Sequence, residues 1–370
     1  MKAVILVGGL GTRLRPLTCN TPKPMIPLVN QPFIEWMLLR LRDQGIGEVV
    51  LAVQYLAERF REALGDGSRL EMKLHIIEEP EPRGTAGAVK NVEHLLDGPT
   101  FVFNGDVMTD LDLQAMLAFH HEKQSKVTIS LTPVDDPTQF GLVEMDRDGR
   151  VQRFLEKPSP EDITTNLINA GTYIIEPEIL RYVPPNEFYM FERGLFPKVL
   201  QAGDPMYGFP SRAYWTDIGK PQTYIDVHHD ILIGKVQYNF RGTQLAHRVW
   251  LEGDAEIHPG AQIVGPVVIG PGVKIERGAR VIGPTVIGAG CLIGADCSIE
   301  GAVLWEGNIL EKGVVLRNSV LGRGNRIGAM THITDGAIIG DDCNIGPENR
   351  LERGIRIWPG TELGERAISF

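Results

Sequence analysis

The chain has 370 residues, which is enough for one large hydrophobic core or two smaller ones, and two is the expected number. Its 37 Lys and Arg residues against 47 Asp and Glu residues give a net charge of −10, which argues against a general nucleic-acid binder and confines any phosphate site to a local basic pocket. No apolar run has the length of a membrane span and no signal-like segment begins the chain, so we expect a cytoplasmic protein without membrane contact.

The chain opens with a strand that runs directly into a glycine-rich, basic turn. Residues 3–7 are apolar and largely β-branched, which is typical of a strand covered on both faces. Three glycines follow: Gly8, Gly9 and Gly11. They let the backbone turn sharply with several N–H groups toward one ligand, and Arg13 and Lys23 add positive charge. The combination suits a polyphosphate, although a glycine turn after a strand is equally typical of a plain structural turn.

Strands then alternate with helices up to about residue 104. The predicted strands are 49–53, 74–77 and 100–104, and the predicted helices are 33–41, 56–64 and 86–96. This order indicates a Rossmann-like α/β domain with a mostly parallel sheet. Gly8, Glu79 and Asp106 fall at or just beyond carboxyl ends of such strands, where ligands of parallel sheets bind.

The pattern changes to paired strands after residue 127. The expected strands are 127–132, 141–146, 151–156 and 170–175, with helical segments near 179, at 191–200 and at 222–234. Residues 235–250 have the character of a connection. We therefore expect one domain over residues 1–235, whose second half is richer in paired strands.

A six-residue repeat governs the C-terminal third. Aliphatic residues recur every six positions from Ile257 to Ile299 and again from Ile309 to Leu363. This period predicts a left-handed parallel β-helix of about six coils over residues 251–370, and the slip near 300–308 predicts a protruding loop. A repetitive, flat-faced column offers self-complementary surfaces, so a homo-oligomer through this domain is expected.

The string GGLGTRLRPLT followed by PKPMIP resembles the signature of nucleotide-sugar pyrophosphorylases, also called sugar-1-phosphate nucleotidyltransferases. Three later segments match the same family: EPEPRGTAG, FVFNGDV, and EKP together with NAG. The resemblance implies transfer of a nucleotidyl group from a nucleoside triphosphate to a sugar 1-phosphate, with release of pyrophosphate. It implies that residues 1–235 form the catalytic domain and that the half after residue 127 is its sugar side. It also implies Mg²⁺ as the cofactor, held by Asp106 and Asp217.

The same resemblance assigns the remaining site residues. The implied nucleotide-binding residues are Gly8, Gly9, Gly11, Thr12, Arg13, Lys23, Glu79, Gly84 and Thr85. The implied sugar-phosphate-binding residues are Gly141, Glu156, Lys157, Asn169, Gly171 and Glu192. The catalytic set is Arg13, Lys23, Asp106, Lys157 and Asp217. In this assignment residues 84–87 lie at a helix start, where free N–H groups can meet the ligand.

The position of Glu79 favours a particular base. In the family this position is frequently glutamine in thymidylyl and uridylyl enzymes. A carboxylate only accepts hydrogen bonds, so Glu79 suits the N1–H and N2–H₂ edge of guanine and favours GTP. Another possibility is that Glu79 is merely solvated and that Glu78 or the backbone reads the base.

Several functions stay open at this point. The leading hypothesis is GTP with mannose 1-phosphate, although family members that use mannose 1-phosphate often have NSD where this chain has Asn104-Gly105-Asp106. One alternative is a glucose-1-phosphate nucleotidyltransferase that uses dTTP, UTP or ATP. Another is a bifunctional enzyme whose β-helix also acetylates an amino sugar through His332, and a third is a noncatalytic regulatory homologue.

Overall fold

A computed structural model describes residues 1–369 of the chain. Residue contacts divide it into two compact units. The first unit contains residues 1–9 and 34–217, and the second contains residues 10–33 and the chain from Ile218 onward. The functional domains predicted at 1–235 and 251–370 stay predictions. Within residues 1–369, no helix has the length and apolar character needed to cross a membrane.

Short strands and helices alternate through the first 232 residues. In order they are Lys2–Val7 (β1), Pro27–Leu28 (β2), Gln31–Pro32 (β3), Phe33–Asp43 (α1), Glu48–Val53 (β4), Ala57–Leu64 (α2), Lys73–Glu78 (β5), Gly84–Asn91 (α3), Thr100–Asn104 (β6), Val107–Thr109 (β7), Leu113–Glu122 (α4), Val127–Pro133 (β8), Gly141–Met145 (β9), Val151–Glu156 (β10), Leu167–Ile175 (β11), Phe196–Ala202 (α5), Met206–Pro210 (β12), Trp215–Asp217 (β13) and Pro221–Leu232 (α6). A π-helix, Phe191–Leu195, runs directly into α5.

The first unit is built on a nine-stranded mixed sheet. Its main path has the order β10-β9-β11-β6-β1-β4-β5, and β8 and β12 continue from β11. Strands β6, β1, β4 and β5 are parallel to one another, whereas β11 is antiparallel to β6, β8 and β9. Strand β1 is almost fully buried at the centre, as its apolar run predicts. The expected Rossmann-like, mostly parallel sheet is confirmed for the half that carries the glycine turn.

The second unit contains the β-helix. Its strands are Thr243–Ala246 (β14), Val249–Leu251 (β15), Ala255–Ile257 (β16), Gln262–Val264 (β17), Val267–Ile269 (β18), Val273–Ile275 (β19), Arg280–Ile282 (β20), Thr285–Ile287 (β21), Leu292–Ile293 (β22), Ser298–Glu300 (β23), Val303–Leu304 (β24), Ile309–Leu310 (β25), Val315–Arg317 (β26), Val320–Leu321 (β27), Arg326–Ile327 (β28), His332–Ile333 (β29), Ile338–Ile339 (β30), Asn344–Ile345 (β31), Arg350–Leu351 (β32), Arg356–Ile357 (β33) and Glu362–Leu363 (β34).

From β15 onward these strands form three parallel sheets that share one aliphatic core. Every third strand from β15, β16 or β17 pairs with the next in the same sheet, so each coil contributes one strand to each face. The six-residue period therefore predicted the architecture. The connection expected at 235–250 already contains β14, which is antiparallel to β15 and begins this domain.

The slip in the repeat is not a protruding loop, so that prediction is wrong. Ile257 pairs with Ile275, but Ile287 pairs with Leu304, so the coil at the slip is one residue shorter. Trp305 is only 1% exposed there. The shortening moves the inward positions to Leu310 and Leu316, which are buried, while the predicted Ile309 and Val315 are only half-buried.

Candidate active site

Three predicted site residues and one further polar residue lie along one edge of the central sheet. Gly8 follows β1, Glu79 follows β5 and Asp106 closely follows β6, as the sequence predicts. Gln54 follows β4, which lies between β1 and β5. Because these four strands are parallel, their carboxyl ends meet at the same edge, and this is where an open α/β sheet binds its ligands.

The carboxylate of Glu79 is held in a buried position. Glu79 is 4% exposed, and its Oε2 accepts hydrogen bonds from Gln54 Nε2 at 3.0 Å and from the Arg83 N–H at 3.4 Å. Its Oε1 is buried and has no hydrogen-bond partner among residues 1–369. Burial raises the pKa of Glu79 above its usual value of 4.5, against the opposing effect of these hydrogen bonds. A buried acceptor without a donor is costly, which points to a ligand that donates there.

Gly8 packs against the side chain that positions Glu79. A Cβ placed on Gly8 would lie 2.8 Å from Gln54 Cδ, which is closer than real Cβ contacts come. The Gln54 backbone N–H also lies 3.4 Å from the Val7 carbonyl oxygen. The absence of a side chain at Gly8 therefore lets Gln54 lie across the end of β1 and reach Glu79.

Gly84 and Thr85 begin α3, as predicted, but the expectation of free N–H groups over 84–87 is wrong for two of the four residues. The N–H groups of Ala86 and Gly87 donate to the Tyr189 carbonyl oxygen at 3.0 and 2.9 Å. Gly84 has φ +69°, and a Cβ there would lie 2.7 Å from the same oxygen. The helix start is thus closed on one side by the chain around Tyr189, and glycine is required for that approach.

A chain of hydrogen bonds joins Thr85 to the predicted sugar side. Thr85 Oγ1 donates to Glu192 Oε2 at 3.3 Å and accepts the Phe191 N–H at 2.9 Å. The hydroxyl of Tyr173 lies 3.5 Å from Glu192 Oε1 and accepts from Asn169 Nδ2 at 2.8 Å. The structure therefore brings three predicted residues together around a buried tyrosine that the sequence analysis did not single out.

Glu192 stands at the first turn of the π-helix, a rare element that is frequent at functional sites. Burial raises its pKa above the usual value of 4.5, and the nearby Glu156 carboxylate contributes in the same direction. Glu156 pairs with Gly141 across the β9–β10 ladder. Two carboxylates close enough to repel one another are arranged to accept donors, and sugar hydroxyls are such donors.

The predicted sugar side also touches the end of β6. The N–H of Gly171 donates to Asn169 Oδ1 at 2.9 Å, where the pairing of β11 with β8 shifts register. A Cβ on Gly171 would lie 2.7 Å from Asn104 Nδ2. Asn104 is the last residue of β6 and lies two positions before Asp106. The bend of β11 therefore sits beside the strand that leads to the predicted metal aspartate.

Lys157 is exposed and has an unusual backbone. Its φ of +52° is uncommon for a residue with a side chain, and its N–H donates to the Phe140 carbonyl oxygen at 3.0 Å. Its ammonium group forms no hydrogen bond or ion pair within residues 1–369. A cation held on strained backbone beside a sheet edge is suited to a phosphate.

Asp106 and Asp217 both border a short antiparallel strand pair. Strand β7 begins directly after Asp106 and pairs with β13, where Asp217 lies opposite Val107. Both aspartates are half-buried. Residues 1–369 contain no group of three or more His, Cys, Asp or Glu side chains that could hold a metal. Two neighbouring carboxylates fit Mg²⁺, because this ion is usually bound by one or two carboxylates together with substrate phosphates.

The part of the glycine signature that follows Gly9 lies in the second unit. There the GGLGTRLRPLT part of the signature packs against the PKPMIP part. Gly11 has φ +61°, and a Cβ there would lie 3.2 Å from Lys23 Cβ. Thr18 Oγ1 donates to the Gly11 carbonyl oxygen at 2.7 Å. Thr12 and Arg13 are exposed in the short 3₁₀ turn that follows, whereas Lys23 is buried at 6% exposure.

Sequence reasoning missed several residues of this edge. Gln54 carried a signal, because it is a polar side chain directly after a buried strand of the parallel sheet. Tyr173 and Tyr189 carried none, because they act through long-range contacts with Glu192 and with the start of α3.

Residues 2–233 match the Nucleotidyl transferase family, and residues 246–351 match the EIF2B subunit epsilon LbH domain. The first match covers more than half of the chain, so the protein belongs to the nucleotidyl transferase family. Enzymes of this family generally use a divalent metal. The resemblance to nucleotide-sugar pyrophosphorylases and the combination of an α/β domain with a β-helix are confirmed.

Particular relatives refine this picture. The chain is 39% identical to a mannose-1-phosphate guanylyltransferase of Mycobacterium tuberculosis, over 74% of this chain and 76% of that protein. It is 32% identical to a UTP–glucose-1-phosphate uridylyltransferase of Synechocystis, over 73% of this chain and 79% of that protein. Among solved structures, HddC from Yersinia pseudotuberculosis complexed with GMP-PN matches with a TM-score of 0.53 and 32% identity, over 61% of this chain and 97% of that one.

Proposed function

We propose that the protein transfers the guanylyl group of GTP to mannose 1-phosphate, forming GDP-mannose and pyrophosphate. The observation that carries the choice of GTP is the buried Oε1 of Glu79, which has no donor among residues 1–369. The guanine edge offers two adjacent N–H donors, N1–H and N2–H₂, and one carboxylate can accept both. The similarity to a mannose-1-phosphate guanylyltransferase and to a structure holding GMP-PN supports the same choice.

The reaction is an in-line displacement. A phosphate oxygen of the sugar 1-phosphate forms a bond to the α-phosphorus of the nucleotide, and the bond from that phosphorus to the bridging oxygen of the β-phosphate breaks. Pyrophosphate leaves with the electron pair. Both reactants are anions, so catalysis depends on positioning and neutralisation rather than on a protein nucleophile.

The side chains then have distinct roles in this proposal. Arg13 and Lys23 neutralise the triphosphate and the departing pyrophosphate, and Lys157 orients the incoming phosphate. Gly8, Gly9, Gly11, Thr12, Gly84 and Thr85 border the nucleotide, and Gly141, Glu156, Asn169, Gly171 and Glu192 border the sugar. Asp106 and Asp217 hold Mg²⁺, which when bound supplies charge neutralisation at the reacting phosphates.

The favoured second candidate is uridylyl transfer to glucose 1-phosphate. It rests on the similarity to the Synechocystis enzyme and on Asn104-Gly105-Asp106, since NGD is shared with relatives that use glucose 1-phosphate. Oligomerisation through the β-helix and a cytoplasmic location stay predictions.

Isotope placement tests the reaction. With GTP labelled at the α-phosphate, the label should appear in a sugar nucleotide that contains mannose. With label at the γ-phosphate, it should appear only in pyrophosphate. Label in free GDP, or retention of the γ-label by the sugar product, would contradict attack at the α-phosphorus. The Asp106→Asn variant is the control for contaminating activity.

A further inference from the structure

The turn that carries Arg13 is hydrogen-bonded to the last part of the β-helix. Arg356 Nη1 lies 3.1 Å from the Arg15 carbonyl oxygen and 3.3 Å from the Arg13 carbonyl oxygen, and it donates to both. Arg356 belongs to β33, and the next residue, Ile357, packs in the aliphatic core of the column. One guanidinium nitrogen thus bridges two carbonyls of the turn from a rigid strand.

A second contact lies a few residues further along the same segment. Arg323 Nη1 donates to Thr21 Oγ1 at 2.7 Å, and the Arg323 guanidinium lies 4.8 Å from the centre of the Trp305 ring. Asn20 Nδ2 lies 3.4 Å from Asp341 Oδ2. Trp305 is fully buried and Asp341 is largely buried, so both contacts anchor the segment to ordered parts of the column.

The turn is anchored by the fully buried Leu14 and by Thr18 Oγ1, which donates to the Gly11 carbonyl oxygen, whereas its other residues are exposed. Its two backbone hydrogen bonds join the Leu14 N–H to the Gly11 carbonyl oxygen at 2.9 Å and the Arg15 N–H to the Thr12 carbonyl oxygen at 3.3 Å. Thr12, Arg13 and Arg15 are exposed, and short, exposed 3₁₀ turns open readily. The hydrogen bonds from Arg356 therefore restrain the exposed part of the turn, which includes the backbone of Arg13.

We infer that Arg356 is a positioning residue for the nucleotidyl transfer, acting through the backbone of Arg13. The last coils of the β-helix thereby become part of the catalytic apparatus, in addition to any role in assembly. The inference rests on the proposed role of Arg13 at the triphosphate. It predicts that a change in the C-terminal column alters use of the nucleotide and leaves use of the sugar phosphate unaffected.

Steady-state kinetics of the full-length enzyme test this inference, with whichever substrate pair the wild type uses. In Arg356→Ala, kcat/KM for the nucleotide should fall about tenfold, which corresponds to about 1.4 kcal/mol. The KM for the sugar 1-phosphate and the Tm should stay at wild-type values, and Arg356→Lys should recover part of the loss. Arg326 supplies the matched control. Like Arg356, it directly precedes an isoleucine that points into the core of the column, but its side chain has no hydrogen bond or ion pair within residues 1–369. Arg326→Ala should therefore match the wild type.

A double-mutant cycle separates an action through Arg13 from an independent one. Arg13→Ala should cost more than Arg356→Ala, and adding Arg356→Ala to Arg13→Ala should cost nothing further. Fully additive losses would overturn the inference, as would equal kinetics for Arg356→Ala and Arg326→Ala.

Hydrogen exchange supplies a readout that needs no substrate. Peptides covering residues 10–26 should exchange faster in Arg356→Ala than in the wild type or Arg326→Ala, while peptides from the column should not change. Unchanged exchange over residues 10–26 would overturn the inference even if the enzyme is active. If residues 10–26 exchange faster in Arg356→Ala but the enzyme uses another nucleotide or none, the contact between Arg356 and the turn is supported. That result would contradict only the proposed function.

Discussion

Gln54 donates its side-chain N–H to one carboxylate oxygen of Glu79, and the other oxygen stays buried without a donor among residues 1–369. The pair fixes the rotation of the carboxylate and aims its remaining acceptor. Gly8 makes the arrangement possible because any side chain there would collide with Gln54. In the proposed function, the opening glycine of the signature contributes to base recognition through Gln54 and Glu79 as well as to the turn itself.

Replacing Glu79 by glutamine should change the preference for the base. In Glu79→Gln one carboxylate oxygen becomes an NH₂ group, which meets the Gln54 and Arg83 donors if it takes the place of Oε2 and the guanine donors if it takes the place of Oε1. A hydrogen bond to a charged group contributes about 1.5–3 kcal/mol, so kcat/KM for GTP should fall about 10- to 100-fold, with a smaller fall for UTP and dTTP. Competition between nucleotides at fixed sugar phosphate measures this.

The control for that substitution is Glu78→Gln. Glu78 is exposed and forms an ion pair with Arg61 at 3.3 Å. The Glu78→Gln variant should therefore keep the wild-type preference among nucleotides. A switch of base in Glu78→Gln, with none in Glu79→Gln, would show that the neighbouring carboxylate reads the base.

Use of GTP should weaken in mild acid. Burial raises the pKa of Glu79, so protonation begins above the usual value of 4.5. The protonated acid loses an acceptor, and kcat/KM for GTP should fall as the pH falls through the raised pKa. Initial rates from pH 8 down to pH 5 should show this decline in the wild type. In Glu79→Gln this fall of kcat/KM with pH should be absent. Identical pH profiles for the variant and the wild type would contradict the role assigned to Glu79.

The raised pKa of Glu79 also affects stability. Its effect on stability depends on pH in the opposite direction from its effect on the use of GTP. Folding favours the protonated form of Glu79, so its contribution is fully present below pH 4.5 and is lost as the pH rises through the raised pKa. Glu79→Gln should therefore be at least as heat-stable as the wild type at neutral pH. Thermal melts check this, and a marked loss of stability would assign Glu79 a structural role instead.

Removing either aspartate charge should cripple turnover while the fold stays intact. Metal neutralisation of the reacting phosphates contributes several kcal/mol, so Asp106→Asn and Asp217→Asn should each lower kcat at least about 100-fold. Both should need more Mg²⁺ for half-maximal rate. Asp112→Asn is the matched control, because Asp112 caps α4 and asparagine caps helices equally well. Wild-type rates in Asp106→Asn and Asp217→Asn would exclude the metal assignment.

Gly84→Ala should destabilise the first unit. The left-handed backbone costs about 1–2 kcal/mol with a side chain, and the contact with the Tyr189 oxygen adds about 1–3 kcal/mol of overpacking. Denaturant unfolding of Gly84→Ala and Gly98→Ala measures the difference. A Cβ on Gly98 meets nothing within 4 Å, so that variant should stay within about 1 kcal/mol of the wild type. Equal midpoints for the two variants would contradict the geometry.

The fold was largely predictable because its main elements have clear periods. Strand β6 begins and ends as expected, and the hexapeptide repeat indicated the column. Helix α4 was missed because its buried residues include His120, so its apolar stripe is interrupted. The shortened coils were misread because Ile309 and Val315 stand beside the residues that turn inward, Leu310 and Leu316. Because either of two adjacent aliphatic residues fits the repeat, the sequence does not reveal a shift of the inward positions by one residue.

The site was predictable where it follows local rules. Glu79 and Asp106 stand at strand ends, and Gly84 begins a helix. What sequence could not supply is contact across long separations. Tyr189 occupies N–H groups of α3 that a free helix start would offer to a ligand. Arg356 reaches the signature turn from the far end of the chain.

The most direct test of the central claim is Mg²⁺-dependent pyrophosphate release from every pairing of four nucleotides and three sugar phosphates. The nucleotides are GTP, dTTP, UTP and ATP, and the sugars are the 1-phosphates of mannose, glucose and N-acetylglucosamine. The account predicts that GTP with mannose 1-phosphate gives the highest kcat/KM. A dominant UTP and glucose 1-phosphate signal would keep the mechanism and contradict the specificity argued from Glu79, and no release from any pair would contradict the enzymatic assignment itself.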